Sequence, residues 1–136
     1  MGRFTLVENT IWEDPEFKVL GTDARLLFLW LWTNPNAAIC GMYHTSLRQM
    51  LKALELGAPV ERLRPAIIEL AEKPLVAYDF EAEVVWVVNR ARHANRSPQT
   101  ARRMAREVEE CPETILVEHF LNMYGQMLSL RMKKEE

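Results

Sequence analysis

A sequence of 136 residues is the size of one domain and long enough to bury one sizeable core. With 49% hydrophobic and 26% charged residues and few glycines, its composition is neither disordered nor low in complexity. The 17 basic and 19 acidic side chains nearly cancel, which excludes a global electrostatic pull toward polyanions; any such attraction must be local.

The chain opens on an irregular arm, residues 1–21, with Trp12, Phe17 and Leu20 as expected anchors and Pro15 and Gly21 as breaks. It shows no signal-peptide pattern, and Leu6 stands where a myristoylation pattern needs Ser or Thr. "TDARLLFLWLWTNPN" predicts a first helix, capped by Thr22 or Asp23 and ended at Asn34-Pro35, because a residue before proline is pushed out of the α region. Residues 26–32 leave no polar face, so this helix is expected to be buried on most sides. The run is only about a third of the ~20 residues needed to span a bilayer.

Ile39, Met42 and Tyr43 suggest a short strand. Ser46 and Gln49 then form a capping box, and Leu47, Met50, Leu51 and Leu54 recur at helical spacing. Gly57 is the expected stop and Pro59 the expected start of a third helix over 59–73, a helix-turn-helix layout. Val60, Leu63, Ile67 and Leu70 would face inward, and Pro65 is a defect expected to remove a backbone bond and bend the helix. "PLVAYDFEAEVVWVVN" reads as a hairpin with its turn at 81–83 and Trp86 half-exposed. Ser97 and Pro98 open another helix with Ala101, Met104, Ala105 and Val108 on one face. Beyond Pro112 a last helix carries Ile115, Leu116, Phe120, Leu121 and Tyr124, and the tail 131–136 is expected to be loose. The expected fold is mainly α with a small β-hairpin: a winged helix-turn-helix over 1–96, arm included, and a C-terminal helical extension over 97–130, packed on it or on a partner.

Catalytic templates are missing. There is no phosphate-cradling glycine loop and no H-E-x-x-H pair, and His44, His93 and His119 lie far apart. Asp23 is better explained as a cap, and Cys40 and His44 are separated by the expected strand. Cys40 and Cys111 form no C-x-x-C pair and read as reduced thiols of a cytoplasmic protein. No enzyme, metal or cofactor is expected, and Trp30 and Trp32 read as core rather than as stacking platforms.

One stretch stands apart. "NRARHANRSPQTARRMAR", residues 89–106, holds six arginines, one histidine and no acid. Arg103 can pair with Glu107, and Arg106 with Glu109 or Glu110, at helical spacing; Arg90, Arg92, Arg96 and Arg102 have no such neighbour. The stretch is then a solvated or internally paired face, a phosphate-contacting strip beside the wing, or a protein-docking strip. Guanidinium suits phosphate because its planar fork pairs two oxygens and keeps its charge. By contrast, the outward face of the third helix, Glu61, Arg62, Pro65, Glu69 and Glu72, is mostly acidic, which argues against base reading in the major groove. The candidate DNA contacts are Arg48, Lys52, Arg62, Arg90, Arg92, Arg96 and Arg102.

"IWEDPEF", "RLLFLWLWTNP", "ICGMY" and "VVWVVNRARHANRSPQTARRMAREVEECPETILVEHFLNMYG", in this order over residues 11–125, resemble the N-terminal winged-helix domain of phage replisome-organiser proteins, relatives of DnaD-type primosome proteins. Pro65 and Lys73-Pro74 depart from the family pattern. The resemblance implies a non-catalytic role in phage or prophage replication initiation. It implies binding to origin or single-stranded DNA and partners such as the replicative helicase or its loader. The expected activity is salt-sensitive, weakly sequence-specific DNA binding. The rivals are a protein-interaction or homo-oligomerisation module without DNA binding, and a transcriptional regulator.

Overall fold

The computed structural model describes residues 4–57 and 59–133. They are mostly helical, with one small antiparallel sheet of three strands. The helices are α1 (Pro15–Lys18), α2 (Thr22–Thr33), α3 (Leu47–Leu54), α4 (Leu63–Glu72), α5 (Pro98–Glu110) and α6 (Ile115–Lys133). The strands are β1 (Met42–His44), β2 (Val76–Asp79) and β3 (Val84–Val87), in the order β1-β3-β2. The expected loose tail begins inside α6, and 134–136 lie outside the described residues.

β3 is the central strand. Trp86 faces Met42 on one side and Ala77 on the other; Val85 faces Tyr43 and Tyr78. Side chains alternate across a sheet with period two. Val85 and Val87 therefore join Leu27, Leu31, Met50, Leu63 and Leu70 in one core, built by α1–α4. Val84, Trp86 and Val88 join Met104, Val108, Phe120 and Tyr124 in a second core, built by α5 and α6. The uninterrupted apolar run "VVWVV" is the pattern of a strand covered on both faces. Trp86, expected to be half-exposed, is 5% exposed and lies edge-on to Phe120 at 6.1 Å. The extension over 97–130 thus covers the second face of the same sheet.

Local chemistry sets the elements. The Ser46–Gln49 capping box forms in both directions, at 2.8 and 3.1 Å. Ser97 accepts from the Thr100 amide with Pro98 in the first turn of α5. Leu116, Phe120, Tyr124 and Leu128 recur every fourth residue as the buried stripe of α6, and the Tyr124 hydroxyl donates to the Val88 carbonyl at 2.6 Å. At the end of α2 the Asn34 amide donates to the Trp30 carbonyl and to the Tyr43 hydroxyl, which donates to the Leu31 carbonyl.

Several expectations change. Gly21, not Thr22 or Asp23, precedes α2, and its amide is held by the Glu69 carboxylate at 2.8 Å. The continuous apolar run does not bury α2 all round: Leu26 is 41% exposed and Trp30 and Trp32 are half-buried. Trp12 is largely exposed, lying edge-on to the buried Phe17. α3 stops at Leu54, and Glu55 takes the left-handed cap position at φ 53°, two residues before Gly57. A 3₁₀ turn, Val60–Arg62, precedes α4. Pro65 therefore sits in the first turn, where backbone N–H groups have no partner inside the helix, and costs it nothing.

The β2–β3 turn is tied to α6 by one carboxylate. Asp79 accepts from the Glu81 and Ala82 amides at 3.0 Å each and from the Thr114 hydroxyl at 2.6 Å. These bonds, from Ala82 and Thr114 above all, hold its pKa below the ordinary carboxylate value. A depressed folded-state pKa means that the stabilisation is present above the ordinary value of about 3.9 and is lost as pH falls through the lower folded one. Asp79→Ala should lower the melting temperature at pH 7, and the gap to the wild type should narrow steadily below about pH 4 in thermal denaturation followed by circular dichroism.

Candidate nucleic-acid interface

The arginine-bearing segment leaves β3 through a tight contact that only glycine permits. Gly41 lies at φ 90°, and a Cβ there would stand 2.5 Å from the Val87 carbonyl and 2.9 Å from the Arg90 Cβ. Its carbonyl accepts from the Val87 amide at 2.8 Å. The chain then makes a 3₁₀ turn, Ala91–His93. Ala91 and Ala94 are buried in the second core, while Arg92, His93 and Arg96 point to solvent. Two small anchors thus leave Arg92, between them, and Arg96, just past the second, exposed.

The seven candidate cations are not equivalent. Arg92 and Arg96 are exposed and make no hydrogen bond or ion pair with a described residue. Arg90 is half-buried, with its guanidinium over the Trp32 ring at 5.5 Å from the centroid. Burial pushes its pKa down, and the Glu107 charge acts in the opposite sense. Arg102 is half-buried and already engaged within the chain. Arg62 is committed as well: it bridges to the Asp23 carboxylate at 3.1 and 3.4 Å and donates to the Leu56 carbonyl. Asp23 is therefore a partner for Arg62 rather than a helix cap. Arg48 and Lys52 are exposed, one turn apart on α3 and without a partner among the described residues.

Nor are the candidates gathered in one place. α3 follows His44, which pairs with Val84 at one end of β3; Arg90 follows the other end. Arg103 pairs with Glu107 as its spacing predicts, at 3.8 Å. Glu107 is mostly consumed elsewhere, accepting from the Ile39 and Cys40 amides at 3.2 and 2.9 Å. The expected pairs of Arg106 with Glu109 or Glu110 do not form, so Arg106 is a further exposed cation without a partner among the described residues. Periodicity within α5 proposed those pairs but could not reject them.

A cluster around Trp32 was not legible in the sequence. The N-terminal arm crosses this end of α2: the Trp32 indole N–H donates to the Leu6 carbonyl at 3.0 Å, and Glu8 approaches His93 Nδ1 at 3.7 Å. His93 is edge-on to Trp32 at 5.7 Å. A cavity of about 270 Å³ lies under the arm, floored by Ile11, Phe17, Phe28 and Leu75. The only hint in the sequence was the aromatic content of the arm and of α2.

The exposed side of α4 carries no free cation. Arg64, which the sequence reading passed over, pairs with Glu61 at 3.0 Å and lies 4.5 Å over the Phe80 ring. Glu69 holds the Gly21 amide, and Ile68 is 49% exposed.

No group of His, Cys, Asp and Glu suited to a metal occurs among the described residues. Cys40 and Cys111 are free, and burial pushes the Cys40 thiol up to about 12, too high for a nucleophile at neutral pH. No helix among the described residues is long and apolar enough to cross a membrane. Neither a family model, nor a curated protein, nor a solved structure matches the chain.

The two kinds of arginine should separate in urea denaturation. Arg90→Ala, which strips the cation and its stem from Trp32, should cost about 1–2 kcal/mol. Arg92→Ala should stay within about 0.5 kcal/mol of the wild type. Equal losses would contradict the distinction.

Proposed function

We propose that the chain is a non-catalytic DNA-binding protein of the replication-initiation type, a winged helix-turn-helix that holds DNA through phosphates rather than by reading bases. The order α2, β1, α3, α4, β2, β3, with β1 added to the hairpin, supports the winged-helix reading. The resemblance in residues 11–125 supports phage or prophage replication, with the replicative helicase or its loader as the partner class.

The observation that carries the proposal is Arg92 and Arg96: exposed, without an acidic partner among the described residues, the first on a short turn between two buried alanines just after the hairpin and the second two residues past Ala94. Guanidinium groups so presented suit backbone phosphates, which set register without reading sequence. α4 is the helix that would read bases in this architecture. With Arg62 and Arg64 both paired to carboxylates, it offers no cation for that role. The binding expected is therefore weakly sequence-specific. Arg48 and Lys52 form a second, separate basic pair on α3.

Displacing counterions makes affinity fall with salt by a logarithmic slope of about 0.9 per phosphate contact on duplex DNA and about 0.7 on single strands. Fluorescence anisotropy with labelled single- and double-stranded DNA across a salt series checks the proposal. Arg92→Ala/Arg96→Ala should weaken binding at least tenfold and reduce the slope by about two on duplex DNA. Arg48→Ala/Lys52→Ala should weaken it less. No binding by the wild type, or salt-independent binding, would refute the proposal. An unaltered Arg92/Arg96 variant would move the contact to α3.

A further inference from the structure

We propose that the groove between the end of α5 and the outer side of α6 docks a basic amphipathic helix of a partner protein. This surface is independent of the DNA reading. It rests on the outer margin of the apolar face of α6, where Leu121 stays exposed beside the stripe that packs on the sheet.

The groove side of α6 is a stripe of Val117, Leu121, Gly125, Leu128 and Met132, at steps of four, four, three and four residues, which keeps it on one side of the helix; Leu128 is shared with the buried stripe, and Val117 and Met132 are partly buried against the second core. Leu121 is 47% exposed, and Val117 and Met132 are half-exposed. Gly125 leaves the middle of the stripe bare: an added Cβ would meet only the Leu121 side chain, at 3.9 Å. With Val108 from α5, these residues floor an open groove of about 790 Å³. The stripe runs about 22 Å along the axis, the length of four helical turns. An open apolar groove of this length is what an amphipathic helix lays its apolar face into.

The rim selects the partner's charge. Glu109, Glu113 and Glu118 line the groove, no described Lys or Arg lines it, and none of the three carboxylates pairs with a described residue. Glu109 and Glu110 also occupy the last turn of α5 without a cation in that turn. Carboxylates at the negative end of a helix dipole oppose folding, so the arrangement is not explained by the stability of α5. It makes the open end of the groove attract cations. Nucleic acid would be repelled there. A second copy offering its own α6 would bring the same carboxylates with it. A helix with leucine-like residues three and four apart and lysine or arginine on its flanks satisfies both the floor and the rim.

The test uses the full chain and two labelled synthetic peptides of about sixteen residues, four helical turns. Both carry Leu at three- and four-residue spacing; one has Lys and the other Glu at the remaining positions. In anisotropy titrations the Lys peptide should bind saturably with one-to-one stoichiometry and weaken as salt rises, while the Glu peptide should not bind. Leu121→Lys should weaken the Lys peptide at least tenfold. So should Glu113→Lys/Glu118→Lys, a surface change that leaves the floor intact. Arg92→Ala/Arg96→Ala should bind the peptide as the wild type does. Failure of the Lys peptide to bind, equal binding of both peptides, or indifference to the groove substitutions would overturn the proposal. A peptide-free dimer in sedimentation velocity that Leu121→Lys dissolves would assign the groove to a second copy, and would overturn it too.

Discussion

β3 has no solvent face, and the rest of the molecule is arranged around that constraint. Val85 and Val87 look into the core made by the N-terminal helices, and Val84, Trp86 and Val88 look into the core made by α5 and α6. Fully burying a side chain of this size is favourable by roughly 1.5–3 kcal/mol, and the same short strand does so on both sides. Removing α5 and α6 would expose Trp86, Met42 and Val84 together. The helices therefore belong to the fold, and the Tyr124 bond to the Val88 carbonyl fastens α6 to the end of the strand. Any site built on the segment after Val88 inherits its position from this strand.

The same segment shows how burial sorts charge. Arginines near the two cores are drawn into contacts that fold the chain: Arg90 over Trp32, Arg62 onto Asp23, Arg64 onto Glu61 and Phe80. Each such contact removes a cation from what a polyanion would meet. Arg92 and Arg96 escape because their neighbours Ala91 and Ala94 do the anchoring. At the other end of α5 the balance reverses, with carboxylates around an apolar groove. The segment before α5 and the last turn of α5 thus carry opposite surface charge in a chain whose total is close to neutral.

What could be read in the sequence was local. The Ser46–Gln49 box, the Ser97-Pro98 start of α5 and the Arg103–Glu107 pair depend on residues three or four apart, and all three form. The hairpin was legible from its β-branched run. Glu55 took the left-handed helix stop two residues before Gly57, and Pro65 was harmless because the 3₁₀ turn moved the helix start toward it. Trp86 looked half-exposed because nothing local indicates that α6 returns to cover it. The fate of Arg62 depended on Asp23, 39 residues away, and that of Arg90 on Trp32 at the end of α2. Pairings at that range leave no periodic trace, so which arginines stay free could be seen only in three dimensions.

Native-state amide hydrogen exchange tests the doubly covered strand most directly. If α5 and α6 are one layer of the sheet's own packing, the amides of Met104, Phe120 and Tyr124 exchange through the same global opening as those of Leu27, Leu70 and Val85, with matching dependence on denaturant. Exchange at Met104, Phe120 and Tyr124 through a separate opening of lower free energy, with Leu27 and Leu70 still protected, would contradict it.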